Sequence, residues 1–389
     1  MRIRNLIVVQ KKRILFLASW YPSRENDALG NFVQRHAEVA NQVADVTVLY
    51  AVSSFKSNSI EFERKNINGV DTLIIFYPKV KTNLPLIKQL LSKKKYLNVL
   101  KKGFDYLNTD FDLVHLNEAF PAGLFALYLK NKKSLNYVLT VHWTGYLDHT
   151  KTFEELSFYE RYLHKKIFRR ASKVFPVSDH LGNSLKKLNL INEYEVIPNV
   201  VNNEIFYPKK QKDASVITRF LHVSSFKNKQ KNVVEMLKAF KNVQEKQHDF
   251  ILHLITEGDK SEVWKLIDQI GIEPSKCEVE EKAKPSRVAE AMKLADCFVL
   301  FSNYETFSVV IAEAWMSGIP TIYSRCGGLT EISNPELGVR IEKNDTQALT
   351  KAILDFNRED YEKDIIISQS SDFKVDVIAQ KFLDVYSVL

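Results

Sequence analysis

Cysteine is scarce, glycine is never spaced as G-x-G, and no apolar run is long enough to cross a bilayer. The 389 residues include three cysteines, Cys277, Cys297 and Cys326. An odd count at no metal-ligand spacing excludes a disulfide framework and a zinc site, and fits three buried, inert thiols in a reducing cytosol. None of the 12 glycines forms a G-x-G triplet, which removes the fingerprint that a dinucleotide-dependent oxidoreductase carries after its first strand. The start MRIRNLIVVQKKRILFLASW is basic and then apolar, but Lys11, Lys12 and Arg13 interrupt it and no small-residue cleavage site follows. It reads as the approach to a first strand, RILFLAS, rather than as a leader. No apolar stretch approaches the ~18 residues of a spanning helix, so the expected location is cytoplasmic.

What is present is a globular composition, 45% hydrophobic and 26% charged, in a chain long enough for two domains of roughly 190 residues each. Strand-like and helical runs alternate: RILFLAS, NFVQRHAEVANQV, DVTVLYAV, then DLVHLN, AGLFALYLKN and YVLTVHW. The rhythm restarts with RFLHVSS, NVVEMLKAFKNVQ, FILHLIT, CFVLFS and PTIYS. Two such series predict an α/β protein of two Rossmann-like, doubly wound sheets. Between them VIPNVVNNEIFYPKKQKDAS breaks every period and reads as a hinge, dividing the chain into 1–205 and 206–389. Charge divides with it. Residues 1–200 hold 30 Lys+Arg against 18 Asp+Glu, a net +12, and residues 201–389 hold 25 against 29, a net −4. The first half is therefore expected to face something anionic: a membrane, an acidic acceptor or nucleic acid.

Ligands of open parallel sheets bind at the carboxyl ends of strands, and SNYETFSVVIAEAWMSGIPTIYSRCGG (302–328) directly follows one such end. The pattern predicts a helix from about Phe307 to Gly318, whose first N–H groups, on Phe307, Ser308 and Val309, could hold a phosphate. A carboxylate beside an anion site would be repelled, so Glu305 is expected to accept hydrogen bonds from neutral sugar hydroxyls. Glu313, further along the helix, could reach a second set of hydroxyls, such as those of a ribose.

This run, with its two glutamates, the SGIP turn, the GG pair and Glu331, resembles the signature of the family-four retaining glycosyltransferases, and the resemblance extends over nearly the whole chain. It implies the GT-B fold, two Rossmann-like domains facing across a cleft. The implied reaction moves a sugar from a nucleotide-sugar to a glycan or lipid-linked acceptor, as in bacterial surface polysaccharide synthesis. By the same resemblance the donor sits on the second domain and the acceptor on the first. Attack is front-face, the leaving diphosphate helps remove the acceptor proton, and no enzymic nucleophile, cofactor or metal is needed. In the SWYPSRENDALGNF loop, Gly30 matches a glycine that lets backbone approach the donor diphosphate. In YVLTVHWTG, His142 matches a histidine near the reacting sugar. In HVSSFKNKQKNVV, Lys231 matches a lysine on the diphosphate, with Lys227 as its companion. Asn199 matches a recurrent hinge asparagine. Ser225 stands where the family usually has arginine, and Thr306 and Ser308 where it usually has glycine.

Other classes are less well served. A metal-dependent transferase would need an acidic pair such as Asp110 and Asp112, but these precede their strand, on the edge away from ligands. The alternative reading, a nonenzymatic basic nucleic-acid or ligand-binding protein on a Rossmann-like scaffold, lacks a recognition motif and a stacking platform in the sequence, so no nucleic-acid partner is expected. In LPLIKQLLSKKKYLNVLKKGFDYL a stripe of Leu86, Leu90, Leu97, Leu100, Phe104 and Leu107 lies beside Lys94, Lys95, Lys101 and Lys102. That pattern predicts either a core-facing helix or peripheral contact with an anionic membrane on the inner face of the cell.

Overall fold

The run RILFLA forms β1 (Arg13–Ala18), buried from Ile14 onward at the centre of a seven-stranded sheet. The computed structural model describes residues 11–209, 217–332 and 334–389. After β1 come α1 (Asn31–Val43), β2 (Asp45–Ser54), β3 (Glu61–Ile67), β4 (Val70–Pro78) and α2 (Pro85–Leu107). The first domain continues with β5 (Leu113–Asn117), α3 (Gly123–Lys133), β6 (Tyr137–Val141), α4 (Phe158–Arg170), β7 (Val174–Pro176) and α5 (Asp179–Lys187). The strand order is β3-β4-β2-β1-β5-β6-β7. Only β3, a polar edge strand, runs antiparallel to its neighbour. The inner strands are apolar on both faces because helices cover both.

The second sheet is built from β8 (Thr218–Ser224), α6 (Asn228–Lys231), α7 (Val233–Glu245), β9 (Phe250–Thr256), α8 (Lys260–Ile270), β10 (Cys277–Glu281) and α9 (Pro285–Leu294). It is completed by β11 (Cys297–Leu300), α10 (Val309–Met316), β12 (Thr321–Ser324), β13 (Gly338–Ile341), α11 (Thr346–Leu354) and α12 (Lys363–Gln369). Its six strands are all parallel, in the order β10-β9-β8-β11-β12-β13. The three cysteines are free and buried. Burial pushes the Cys277 thiol up to about 11 and Cys326 to about 12, which keeps them protonated.

The last helix, α13 (Val375–Ser387), departs from the division at residue 205. It packs back on the first domain, where Ile378, Ala379, Phe382, Val385 and Tyr386 join the core that holds Ile14, Phe16 and the buried face of α1. Tyr386 Oη lies 2.6 Å from His115 Nδ1 on β5, and the Phe382 ring meets those of His36 and His115 edge-on. The chain therefore crosses between domains twice, and the crossings are paired: Val201 N–H donates to the Phe373 carbonyl at 2.8 Å beside a parallel bridge between Val201 and Lys374. The charged tail of the expected hinge, residues 210–215, lies outside the described residues.

The packing of α2 settles the C-terminal half of its stripe as core. Leu100 and Leu107 are buried, and Leu97 and Phe104 pack against the same core. Lys95 Nζ donates to the Pro78 carbonyl and Lys101 Nζ sits 4.2 Å from the Tyr128 ring centroid. Of the four lysines expected at a membrane, Lys95 and Lys101 are engaged in this way, while Lys94 and Lys102 are exposed. This half of the helix covers the sheet, so its apolar side is core and two of the four lysines are held by the protein.

Because α13 fills the first domain's core, Phe382→Ala should cost about 3–5 kcal/mol, measured as a lowered denaturation midpoint of the first domain.

Candidate active site

The donor side is organised around Glu305, five residues past β11. Its Oε1 accepts from Lys231 Nζ at 2.6 Å and from Ser302 Oγ at 2.7 Å. Lys231 closes the one-turn helix α6, and the two loops are pinned where Asn303 N–H donates to the Gln230 carbonyl (2.7 Å) and Asn303 Nδ2 to that of Lys229 (3.0 Å). The GG turn explains itself here. Gly327 has φ +52, and a Cβ on it would fall 1.6 Å from the Glu305 carbonyl oxygen, so only glycine lets the turn lie on the Glu305 backbone. Gly328 N–H then donates to that same carbonyl at 3.1 Å.

Helix α10 starts two residues later than the pattern predicts. Ser308 takes a left-handed conformation (φ 74) at its N-cap, a backbone state that favours the glycine expected here from the resemblance, and its hydroxyl caps nothing and has no partner. The first-turn N–H groups without an intrahelical acceptor are thus those of Val309, Val310 and Ile311. Phe307 lies outside the helix, and its ring packs edge-on against Phe373 and bridges cores of both domains. Glu313 is buried, and its Oε1 accepts from Arg35 Nη1 of α1 at 2.6 Å. Burial pushes its pKa up while Arg35 pulls it down. Glu331 also reaches across the cleft, accepting from the N–H groups of Asp179 (3.2 Å) and His180 at the start of α5. Lys227 is exposed and its carbonyl accepts from the Gln230 and Lys231 N–H groups.

On the facing side His142 follows β6 directly. It is 6% exposed, and neither ring nitrogen makes a hydrogen bond of good geometry, the Asn199 side chain being its polar neighbour. The rings of Phe32 and His36 pack against it at 4.5 and 5.4 Å. Asn199 also leaves its buried Oδ1 unpartnered. Burial, and then the neighbouring His36 and His115, hold the His142 pKa well below its ordinary value. Glu118, which sequence reasoning missed, supports this loop. From a left-handed backbone (φ 66) its carboxylate accepts from the N–H groups of Ala119 (3.0 Å), His142 (2.9 Å) and Trp143 (2.9 Å). Burial pushes its pKa up to about 7, against the pull of those donors. Gly30 (φ +75) lies so close to the preceding turn that a Cβ there would fall 2.6 Å from the Trp20 backbone. Asp112 accepts from the Arg13 N–H at 2.7 Å, at the opposite end of the sheet.

The structure thus brings Lys231 to Glu305 and sets both beside the α10 N-terminus. It places His142 after a strand of the other sheet, ties Glu313 to Arg35 and leaves Lys227 at the surface. Loops from the two strand-end edges meet, with the His149 and Tyr304 rings 5.6 Å apart. Two largely parallel sheets whose strand ends open on a shared cleft in this way make a two-domain, Rossmann-like α/β fold with its candidate site between the domains.

Residues 217–358 match the family described as glycosyl transferases group 1, and residues 36–205 match glycosyltransferase family 4. An uncharacterized glycosyltransferase of Methanocaldococcus jannaschii is 30% identical over 286 residues, 72% of this chain and 76% of that one. The N-acetyl-alpha-D-glucosaminyl L-malate synthase of Bacillus anthracis is 26% identical over 61% of this chain and 63% of that protein. Among solved structures, the sucrose-phosphate synthase of Thermosynechococcus elongatus superposes with a TM-score of 0.73 at 18% identity, covering 97% and 98% of the two chains. The Anabaena protein HepE, solved with UDP and glucose, gives 0.68 at 15% identity, covering 97% of this chain and 100% of that one. The chain belongs to the group 1 glycosyltransferases.

The buried imidazoles set an acid limit. Burial lowers His36, His164 and His222 to about 4 and His115 to about 3, with His142 also depressed. Between pH 6.5 and about 4 the unfolded chain binds protons there that the folded chain does not, so stability falls as pH falls, by about 1.4 kcal/mol per proton per pH unit. Glu118 opposes this with one proton, because its raised pKa favours the folded state in acid. The net expectation is a urea midpoint that drops steeply from pH 7 to pH 5.

Proposed function

We propose that the protein is a retaining, metal-independent glycosyltransferase that moves a sugar from a nucleotide-sugar to a glycan or lipid-linked acceptor, in bacterial surface polysaccharide or glycoconjugate synthesis. The observation that carries the reading is the Lys231–Glu305 pair beside the first turn of α10. A diphosphate placed there meets the Lys231 ammonium and the free N–H groups of Val309, Val310 and Ile311, which are the charges needed to stabilise a leaving nucleoside diphosphate. Glu305, already neutralised by Lys231, can accept from sugar hydroxyls without repelling the phosphates. Glu313 is the second hydroxyl acceptor in this reading, and Arg35 must share it with a ribose. His142, neutral and without a well-aligned hydrogen bond of its own, offers an N–H donor and an acceptor toward the reacting sugar.

Retention is supported by the likeness of residues 302–328 to the retaining family's signature, and Glu305 and Glu313, held by Lys231 and Arg35, are placed to accept from hydroxyls rather than to attack as nucleophiles. The acceptor proton then passes to the departing phosphate oxygen as the new glycosidic bond forms on the face the leaving group vacates. The likeness to HepE supports a nucleotide-sugar donor.

Glu305→Gln should lower the rate of nucleoside diphosphate release and sugar transfer by roughly 10- to 100-fold, the loss expected when a hydrogen bond to a charged group is removed. Full transfer activity in that variant would rule out the assigned role. Transfer should also persist in excess chelator, since in this reading the charge on the diphosphate is met by Lys231 and the first turn of α10. A complete loss restored by added divalent ion would instead call for a metal-dependent mechanism.

A further inference from the structure

We infer that α2 and α4 together form a docking surface for an anionic bilayer, which selects the lipid-linked class of acceptor; this rests on the reading of the cleft as a site of sugar transfer. Ile87, Leu90 and Leu91 on the first turns of α2 and Phe158, Tyr159 and Tyr162 on the first turns of α4 all project into solvent, with Leu90 72% and Phe158 81% exposed. These are large apolar side chains from segments about seventy residues apart in sequence, and no core element covers them. They form one surface because the helices are pinned to each other. Gln89 Nε2 donates to Glu160 at 2.6 Å, Lys93 Nζ lies 3.5 Å from the same carboxylate, and Lys93 also sits 5.2 Å from the Tyr159 ring centroid.

The charge around this surface identifies its partner. Helix α2 carries six lysines, two of which, Lys95 and Lys101, are held within the domain, and one acid, Asp105, while α4 carries five basic residues and one acid, Glu160. Glu160 is spent internally on Gln89, Lys93 and the Ser157 cap. At about 100° per residue, Lys165, Lys166 and Arg169 fall on the same side of α4 as Phe158 and Tyr162. Glu154 and Glu155, exposed just before α4, are the acids nearby in sequence. An apolar and aromatic face bordered by lysine and arginine matches a bilayer interface with anionic headgroups, where rings sit at headgroup level and each basic residue adds attraction. Among the described residues no helix is long and apolar enough to cross a membrane, so contact would be peripheral.

The surface also lies at the working edge of the domain. Lys93 Nζ is 5.5 Å from the Phe120 ring centroid, and Phe120 follows β5 by three residues, in the loop that carries Glu118. An acceptor anchored in the bilayer would therefore present its headgroup beside the strand ends that open on the cleft.

Vesicle sedimentation tests this. The full chain should pellet at low salt with vesicles containing about one-third phosphatidylglycerol in phosphatidylcholine, and stay in the supernatant with phosphatidylcholine alone or at high salt. The double variant Leu90→Ser and Phe158→Ser changes only exposed side chains. It should lose at least about tenfold in the bound fraction while releasing nucleoside diphosphate with a water-soluble acceptor at the wild-type rate. Wild-type protein that ignores anionic vesicles, a double variant that pellets like wild type, or displacement of the protein from vesicles by single-stranded oligonucleotide at equal ionic strength would overturn the proposal. If sedimentation fails while soluble transfer persists, the docking surface is wrong and the transferase reading stands.

Discussion

Lys231 and Glu305 meet at 2.6 Å with their side chains 14% and 7% exposed, and most of the second domain's strand-end edge is arranged to make that contact tolerable. A buried ion pair recovers its desolvation cost only when its geometry is tight and its remaining lone pairs are met. Ser302 supplies one donor, the Asn303 contacts lock the lysine's loop in place, and the GG turn lies directly on the Glu305 backbone. Each of these is local in space but scattered over a hundred residues of sequence. In the proposed reading the pair, mutually neutralised here, offers a cation to phosphate and an acceptor to hydroxyls once a donor binds.

The cleft is held by a second set of contacts with a different character. Arg35 to Glu313 and Glu331 to the start of α5 are polar and cross from one domain to the other, while the paired strands at Val201 and Lys374 and the return of α13 tie the domains at their base. The two crossings are bonded to each other, which ties the domains together at that point. Because Arg35 holds an acid that also serves as the proposed ribose acceptor, donor entry and domain spacing act on one carboxylate.

Much of this was legible in the sequence. The two parallel sheets follow from alternating apolar strands and amphipathic helices, and Glu305 and Lys231 follow from motif position after β11 and β8. The same period-based reading placed the start of α10 too early, because Ser308 adopts a left-handed conformation that its residue type disfavours. It gave the α2 stripe two meanings, and packing on the sheet settled the C-terminal half as core. Arg35, Glu118 and the Glu331 contact with α5 were invisible because their partners are distant in the chain and no spacing rule links them. Phe158, Tyr159 and Tyr162 could have been noticed as an aromatic cluster after the Ser157 cap, but their joining with α2 is a tertiary fact.

The central claim is that Lys231 grips the diphosphate while Glu305 grips the sugar, and calorimetric titration of a nucleoside diphosphate and its sugar conjugate into wild type, Lys231→Ala and Glu305→Gln tests it most directly. The account predicts that Lys231→Ala weakens both ligands by about 1.5–3 kcal/mol. Glu305→Gln should weaken only the sugar conjugate, leaving the free diphosphate bound at least as tightly because the lysine has lost its neutralising partner. Equal affinities for both ligands across all three proteins would contradict it.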